Sequence, residues 1–293
     1  MKHHYKLIKK FKQEHQLRGS SERTIAAYTD NCIKAFEHIR KAPFEITKKD
    51  LIQYIHYLIG KGYTAKTCNQ KIYSIKSFYK LLGKGGKENP TSELPRQKEP
   101  VKIPEILGKK EVTAVLCSLK NLKLKALLAT AYFGGLRLEE VRLLKITDIN
   151  SDRMVIHISG KGDKQRLVPL HQEPLGLLRE YYKRYRPKEW LFEGRGINKP
   201  LCRRSLHAMV KRAVRLAGIK TKVSMHTLRH CFATHLLENG VALQVIQQVL
   251  GHKSIRTTEY YTHVTTEMLR KVKSPLEALR LDSPSQKKGG RNA

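Results

Sequence analysis

From residue 1 to about 85, apolar side chains recur every three or four positions, the spacing of helices that each bury one face. Tyr5, Ile8 and Phe11 form a short stripe, and Ser21 heads a second run that carries Ile25, Tyr28, Cys32 and Phe36. A third run goes from Thr47 through Leu51, Tyr54, Ile55 and Leu58 to Gly60-Lys61-Gly62. The fourth carries Ile72, Ile75, Phe78, Tyr79 and Leu82 and stops at Gly83. Four short amphipathic helices predict a compact helical bundle over 1–85. Between 86 and 104 the chain turns to Gly, Pro, Lys and Glu, a composition that cannot pack a core and reads as an interdomain linker.

A second domain is expected over 105–272. Helices are predicted from about Lys109 to Leu119 and from Leu122 to Phe133, and then the period changes. Met154 to Ser159 alternates as a strand does, Gly160 to Gln165 supplies turn residues, and Leu167-Val168 returns as a second strand. Two further helices are expected in 173–218, on either side of a short strand or turn at Trp190-Leu191-Phe192-Glu193-Gly194. Another run carries Leu228, Phe232, Leu236 and Leu237, followed by one with Val245, Ile246, Val249 and Leu250 that ends at Gly251. The fold class is therefore mainly α, with a small β-sheet in the second domain. Residues 273–293 form a C-terminal segment whose basic tail is too polar to fold alone.

Composition narrows the function. Fifty-eight Lys and Arg stand against 25 Asp and Glu in 293 residues, a net charge of +33 spread along the chain. Such a field attracts a polyanion, which nucleic acid is. The longest nearly apolar run, Ala126 to Gly135, is too short to span a bilayer, so a cytoplasmic protein is expected. The five cysteines are scattered with no paired spacing, which fits free thiols, with neither disulfides nor a metal site.

Candidate chemistry lies in the second domain. Arg137 and Glu140 are three apart at a helix start, so the carboxylate can hold the guanidinium in one direction, and a planar fork held that way suits a phosphate oxygen. Lys161 sits in the predicted hairpin turn, where a lysine is ordinarily just solvated. His226 and Arg229, again three apart, share a helix face; alone, such a pair is ordinary surface or capping chemistry. Gly251-His252 closes the next helical run, and nine residues further comes Tyr260-Tyr261. A cation beside an imidazole can bind a phosphodiester and manage a proton, and a tyrosine hydroxyl can attack phosphorus and stay attached to it. The combination suggests phosphoryl transfer without a metal. A zinc reading of His230 and His235, prompted by His226 one turn before His230 and by Cys231 nearby, lacks the glutamate that protease chemistry needs, since Thr227 stands at that position; His230 and His235 are expected as buried hydrogen-bonding residues. In the first domain, Lys66, Asn69, Gln70, Lys71 and Lys76 mark a polar helix face that can meet DNA, against the plainer reading of a solvated lysine face.

Taken together, Gly135-Leu136-Arg137 with Glu140, the lysine hairpin Gly160-Lys161-Gly162, His226 with Arg229 and His230, Leu250-Gly251-His252 and Tyr261-Thr262-His263-Val264 resemble the tyrosine recombinase (phage-type integrase) family, closest in layout to its short Xer-like members. The resemblance covers most of the chain: 1–85 is similar to the family's core-binding DNA domain, and 105–272 to its catalytic domain. It implies catalytic roles for Arg137, Lys161, His226, Arg229, His252 and Tyr261, with Glu140 in support. Lys164 and Arg166 compete with Lys161 for the lysine position and are expected instead on the DNA backbone, and Tyr260 in packing. It further implies no metal or cofactor, a specific double-stranded DNA site as partner, and a tetramer, with a second recombinase or accessory factor as a further possible partner. The expected reaction is cutting and rejoining through a 3'-phosphotyrosyl link and a Holliday junction, in chromosome dimer resolution or mobile-element integration. A type IB topoisomerase shares the chemistry, and a non-catalytic DNA-binding regulator shares the charge; the latter does not require the six catalytic residues.

Overall fold

The computed structural model describes residues 2–82, 89–100, 105–160, 165–196 and 198–251. The chain divides into two compact units, Met1–Lys102 and Ile103–Ala293. Among the described residues no helix is long and apolar enough to cross a membrane.

The first unit holds α1 (Lys2–Leu17), α2 (Glu22–Ile39), α3 (Lys48–Gly60) and α4 (Ala65–Leu82). Ser21 starts α2 by accepting a hydrogen bond from the Thr24 amide, and Thr47 and Asp50 start α3 with a reciprocal capping box. The apolar stripes meet in a core where the Phe78 ring packs edge-on against Phe11 and Phe36, at centroid distances of 5.3 and 4.9 Å. Tyr5 is 80% exposed, so the buried stripe of α1 begins at Ile8. His15 ties α1 to α4: its ring nitrogens bond the Ser20 and Ser77 hydroxyls at 2.9 and 3.1 Å. Burial, and then the charge of Arg18, hold its pKa below the usual histidine value.

The expectation that 86–104 packs nowhere needs correction. Leu94 and Thr91 are buried, and Leu94 joins the core of the first unit. Asn69 on α4 grips the segment from both sides, donating to the Gln97 carbonyl at 2.9 Å and the Glu99 carboxylate at 2.8 Å while accepting from the Gln97 amide. A buried leucine, the Asn69 amide and the Lys76 ammonium, which donates to the Leu94 carbonyl, dock a segment whose composition is otherwise that of a linker.

The second unit carries α5 (Lys109–Cys117), α6 (Leu122–Phe133), α7 (Leu138–Arg142), strands β1 (Ile149–Asn150), β2 (Val155–Ser159) and β3 (Gln165–Pro169), then α8 (Gln172–Tyr185), α9 (Arg203–Leu216), α10 (Met225–Glu238) and α11 (Leu243–Leu250). Helix α6 is buried on nearly every side, which is why its sequence is apolar without a periodic stripe. The sheet is antiparallel in the order β1-β2-β3. Its buried face holds Ile156, Ile158 and Val168. Strand β1, unforeseen from the sequence, is only two residues long, and the expected strand or turn over 190–194 forms isolated bridges that pair Lys145 with Trp190 and Glu193 with Pro200.

Candidate active site

The site starts at the turn after α6. Gly135 has φ +54°, and a Cβ there would fall 2.4 Å from the Phe232 ring of α10 and 2.9 Å from Leu250. Only glycine allows this conformation and this approach together. The close approach lets the Gly135 carbonyl accept from Arg229 Nη1 at 2.7 Å. The chain then turns into α7, with Arg137 as N-cap; Glu140 accepts from the Arg137 backbone amide and from its Nη1, both at 2.7 Å.

Glu140 is a hub for three guanidiniums. Besides Arg137, it receives Arg166 through a two-pronged pair, with Nη1 and Nη2 each 2.8 Å from a carboxylate oxygen, and Arg229 lies 3.9 Å away. The same three arginines reach the last carbonyls of α11: Arg166 Nε donates to Val249 at 2.7 Å, Arg229 Nη2 to Leu250 at 2.6 Å, and Arg137 Nη2 to Gly251 at 3.3 Å. Those carbonyls have no partner within the helix and carry the negative end of its dipole, so cations belong there. Gly251, at φ +64°, ends the helix in the left-handed conformation.

Burial alone would raise the Glu140 pKa, but hydrogen bonds and charge from Arg166 and Arg137 outweigh it and hold the carboxyl at about 2. Three guanidiniums around one carboxylate leave an excess of two positive charges. Arg229 is 1% exposed, whereas the Arg137 side chain is 42% exposed and is the guanidinium of this cluster open to solvent. The arrangement is preorganised for an anion such as a phosphodiester.

Ser224 caps α10, accepting from the Thr227 amide at 3.2 Å, and sets His226 in the first turn. The His226 ring is exposed and stands edge-on to His230, with centroids 4.4 Å apart. Burial first, then the charges of His226 and Arg229, push the His230 pKa down to about 4, so this imidazole is neutral at neutral pH. His235 is buried and shares a 2.7 Å hydrogen bond with the Tyr132 hydroxyl. Among the described residues, no group of three His, Cys, Asp or Glu gathers to hold a metal ion.

The structure thus brings Arg137, Glu140 and Arg229 together, with His226 one turn before Arg229 on α10. Lys161, Lys164, His252, Tyr260 and Tyr261 lie outside the described residues. Arg166, expected on DNA backbone, is instead turned into the protein: it is opposite Ile158 in the ladder and two residues before Val168, both buried, so strand alternation points it inward. That alternation was the signal available in the sequence. Lys71 is likewise buried, 3.4 Å from Asn31 Oδ1, because its helical position faces α2 rather than solvent. Asn69 and Lys76 are occupied by the 94–99 segment, Lys76 donating to the Leu94 carbonyl at 3.2 Å. Lys66 and Gln70 remain exposed.

Residues 105–268 match the phage integrase family, and residues 7–84 match the phage integrase N-terminal SAM-like domain. The chain is 35% identical over 281 residues to the putative integrase/recombinase y4qK of Sinorhizobium fredii (strain NBRC 101917 / NGR234), covering 95% of this chain and 91% of the relative. It is 34% identical over 272 residues to tyrosine recombinase XerD of Staphylococcus aureus, covering 87% and 92%. Among solved structures, XerH site-specific recombinase bound to a palindromic difH substrate in a post-cleavage complex superposes with a TM-score of 0.72 at 26% identity, covering 86% of this chain and 80% of that one.

Proposed function

The chain belongs to the phage integrase family, and we propose that it is a site-specific recombinase that cuts and rejoins DNA through a tyrosine. The observation that carries this reading is the arginine cluster: an open Arg137 and a buried Arg229, oriented on one carboxylate with a surplus of positive charge, adjoining the exposed His226.

In this mechanism Arg137 grips the non-bridging oxygens of the scissile phosphate, and Arg229 adds charge that offsets what develops in the transition state. Tyr261 attacks phosphorus while His226 acts as acid and base. The Tyr261 oxygen bonds to phosphorus as the bond to the 5'-oxygen breaks; Lys161 donates a proton to that oxygen, and His252 hydrogen-bonds the phosphate. The product is a 3'-phosphotyrosyl link and a free 5'-hydroxyl. Attack by a 5'-hydroxyl from another duplex reverses the step and exchanges strands, with no ATP because the phosphodiester energy is retained in the link. The reaction proceeds as a tetramer on two duplexes through a Holliday junction, in the cytoplasm, for chromosome dimer resolution or for movement of a mobile element. The XerD and integrase relatives support the recombinase class of this reading.

The test incubates wild-type and Tyr261→Phe protein with sheared DNA from the source cell at low salt, denatures the mixture, recovers protein-linked fragments and sequences their ends. A 3' link formed by wild type alone, at one recurring site, is expected, and its genomic position separates the two biological roles. Binding by both proteins with no link from either would overturn the catalytic reading. Removing the open guanidinium as Arg137→Ala should slow linkage by about 10²–10³-fold, the usual effect of losing one preorganised donor.

A further inference from the structure

Arg166 belongs to none of the catalytic positions, yet each nitrogen of its guanidinium donates a hydrogen bond inside the protein. Its Nη atoms span both oxygens of Glu140 at 2.8 Å and its Nε caps the Val249 carbonyl at 2.7 Å. Its side chain is 9% exposed. It also lies against the helix end, since a Cβ on Gly251 would be 3.0 Å from Arg166 Cδ. Three segments meet on this one residue: β3, which carries it; α7, through Glu140; and the last turn of α11, through Val249.

The sequence neighbours of those segments matter. Arg166 follows Lys161 by five residues, Glu140 directly holds Arg137, and Val249 precedes His252 by three. We propose that Arg166 is a positioning residue that holds the strand after the lysine hairpin, the Arg137 helix and the turn before His252 in one register. It contacts no DNA. The proposal rests on the recombinase reading, and it replaces a phosphate contact at this position with an internal one. A lysine cannot substitute fully: an ammonium is a point donor, whereas three acceptors in two directions need the planar fork.

The test uses the full chain and a duplex carrying the sequence recovered by covalent capture, nicked so that the departing strand diffuses away and linkage is irreversible. Wild type, Arg166→Lys and Arg166→Ala are compared for the single-turnover linkage rate, for DNA affinity as a function of salt, and for rescue of Arg166→Ala by guanidinium ions. Linkage by Arg166→Ala should fall about 10²-fold, the usual consequence of misplacing reacting groups by an ångström. Affinity and its salt dependence should match wild type. Arg166→Lys should recover part of the rate, and guanidinium should recover part of it in Arg166→Ala.

A drop in affinity with a salt slope shallower by about 0.9 would make Arg166 a phosphate contact and overturn the proposal. So would an unchanged linkage rate, which would make the network packing alone. If Arg166→Ala does not fold, Arg166→Lys decides: a slowed rate at unchanged affinity and melting temperature supports the proposal, and a wild-type rate refutes it. Absence of linkage by wild type itself is a different failure, which removes the recombinase reading and this inference with it.

Discussion

Replacing Glu140 with glutamine keeps the side-chain shape and removes the one negative charge among three arginines. Two independent magnitudes can be worked for the loss. The carboxyl is held at about 2 against an ordinary value of 4.5. At 1.36 kcal/mol per pH unit, a shift of that size corresponds to stabilisation on the order of 3 kcal/mol at neutral pH. Breaking a buried ion pair from one side typically costs about 3–5 kcal/mol, because the remaining charges stay buried without compensation. The agreement fixes the expectation at roughly 3 kcal/mol. The sign with pH follows from a depressed folded-state pKa: the stabilisation is complete above the unfolded value near 4.5 and is lost as pH falls towards 2. By pH 3 the wild type should have lost about 2 kcal/mol from this group, and Glu140→Gln nothing from it. The single tryptophan, Trp190, lies in the second unit, so its fluorescence in urea reports that unit. With a slope of about 2–3 kcal/mol/M, the midpoint at pH 7 should shift down by roughly 1–1.5 M, and the gap between the proteins should narrow steadily to pH 3. A loss below about 1 kcal/mol at pH 7, or a gap that does not change with pH, would refute the hub assignment of Glu140.

Gly135→Ala should destabilise the second unit by about 2–4 kcal/mol in the same urea assay, combining a left-handed backbone with a Cβ 2.4 Å from Phe232; a loss below about 1 kcal/mol would mean that α10 shifts freely. Asn69→Ala should release the 94–99 segment, read as faster tryptic cleavage after Arg96 and Lys98 and faster amide exchange at Gln97; unchanged rates would show that the contacts around Leu94, including the Lys76 bond to its carbonyl, hold it without Asn69. His15 has a lowered folded-state pKa, so the unfolded chain takes up the proton first and stability of the first unit should fall as pH drops below about 6.5, by at most ~1.4 kcal/mol per unit; in His15→Gln that part of the pH dependence, followed by amide exchange of α1 and α4, should vanish.

Local pattern made the helices and the main hairpin legible. Capping residues such as Ser21 and Thr47, the apolar spacing in α2 to α4, and the strand alternation around Ile156 and Ile158 act over a few residues, and local backbone preference decides them. The order and spacing of Arg137, Glu140, His226 and Arg229 likewise stood in the chain, enough to name a family and propose its chemistry. Periodicity also sets which way Arg166 and Lys71 face, inward in both, although a positive charge by itself reads as solvent-facing. Their partners could be known only from the fold. Glu140 lies 26 residues from Arg166 and Val249 lies 83 away, and Asn69 meets Gln97 across 28. Such contacts depend on how α7, β3 and α11 converge in three dimensions, which no local propensity encodes. Burial then turns exposed-looking charges into a fixed network: once water is excluded, each guanidinium must find its carboxylate or carbonyl, and that requirement, met only in the packed chain, orients the site.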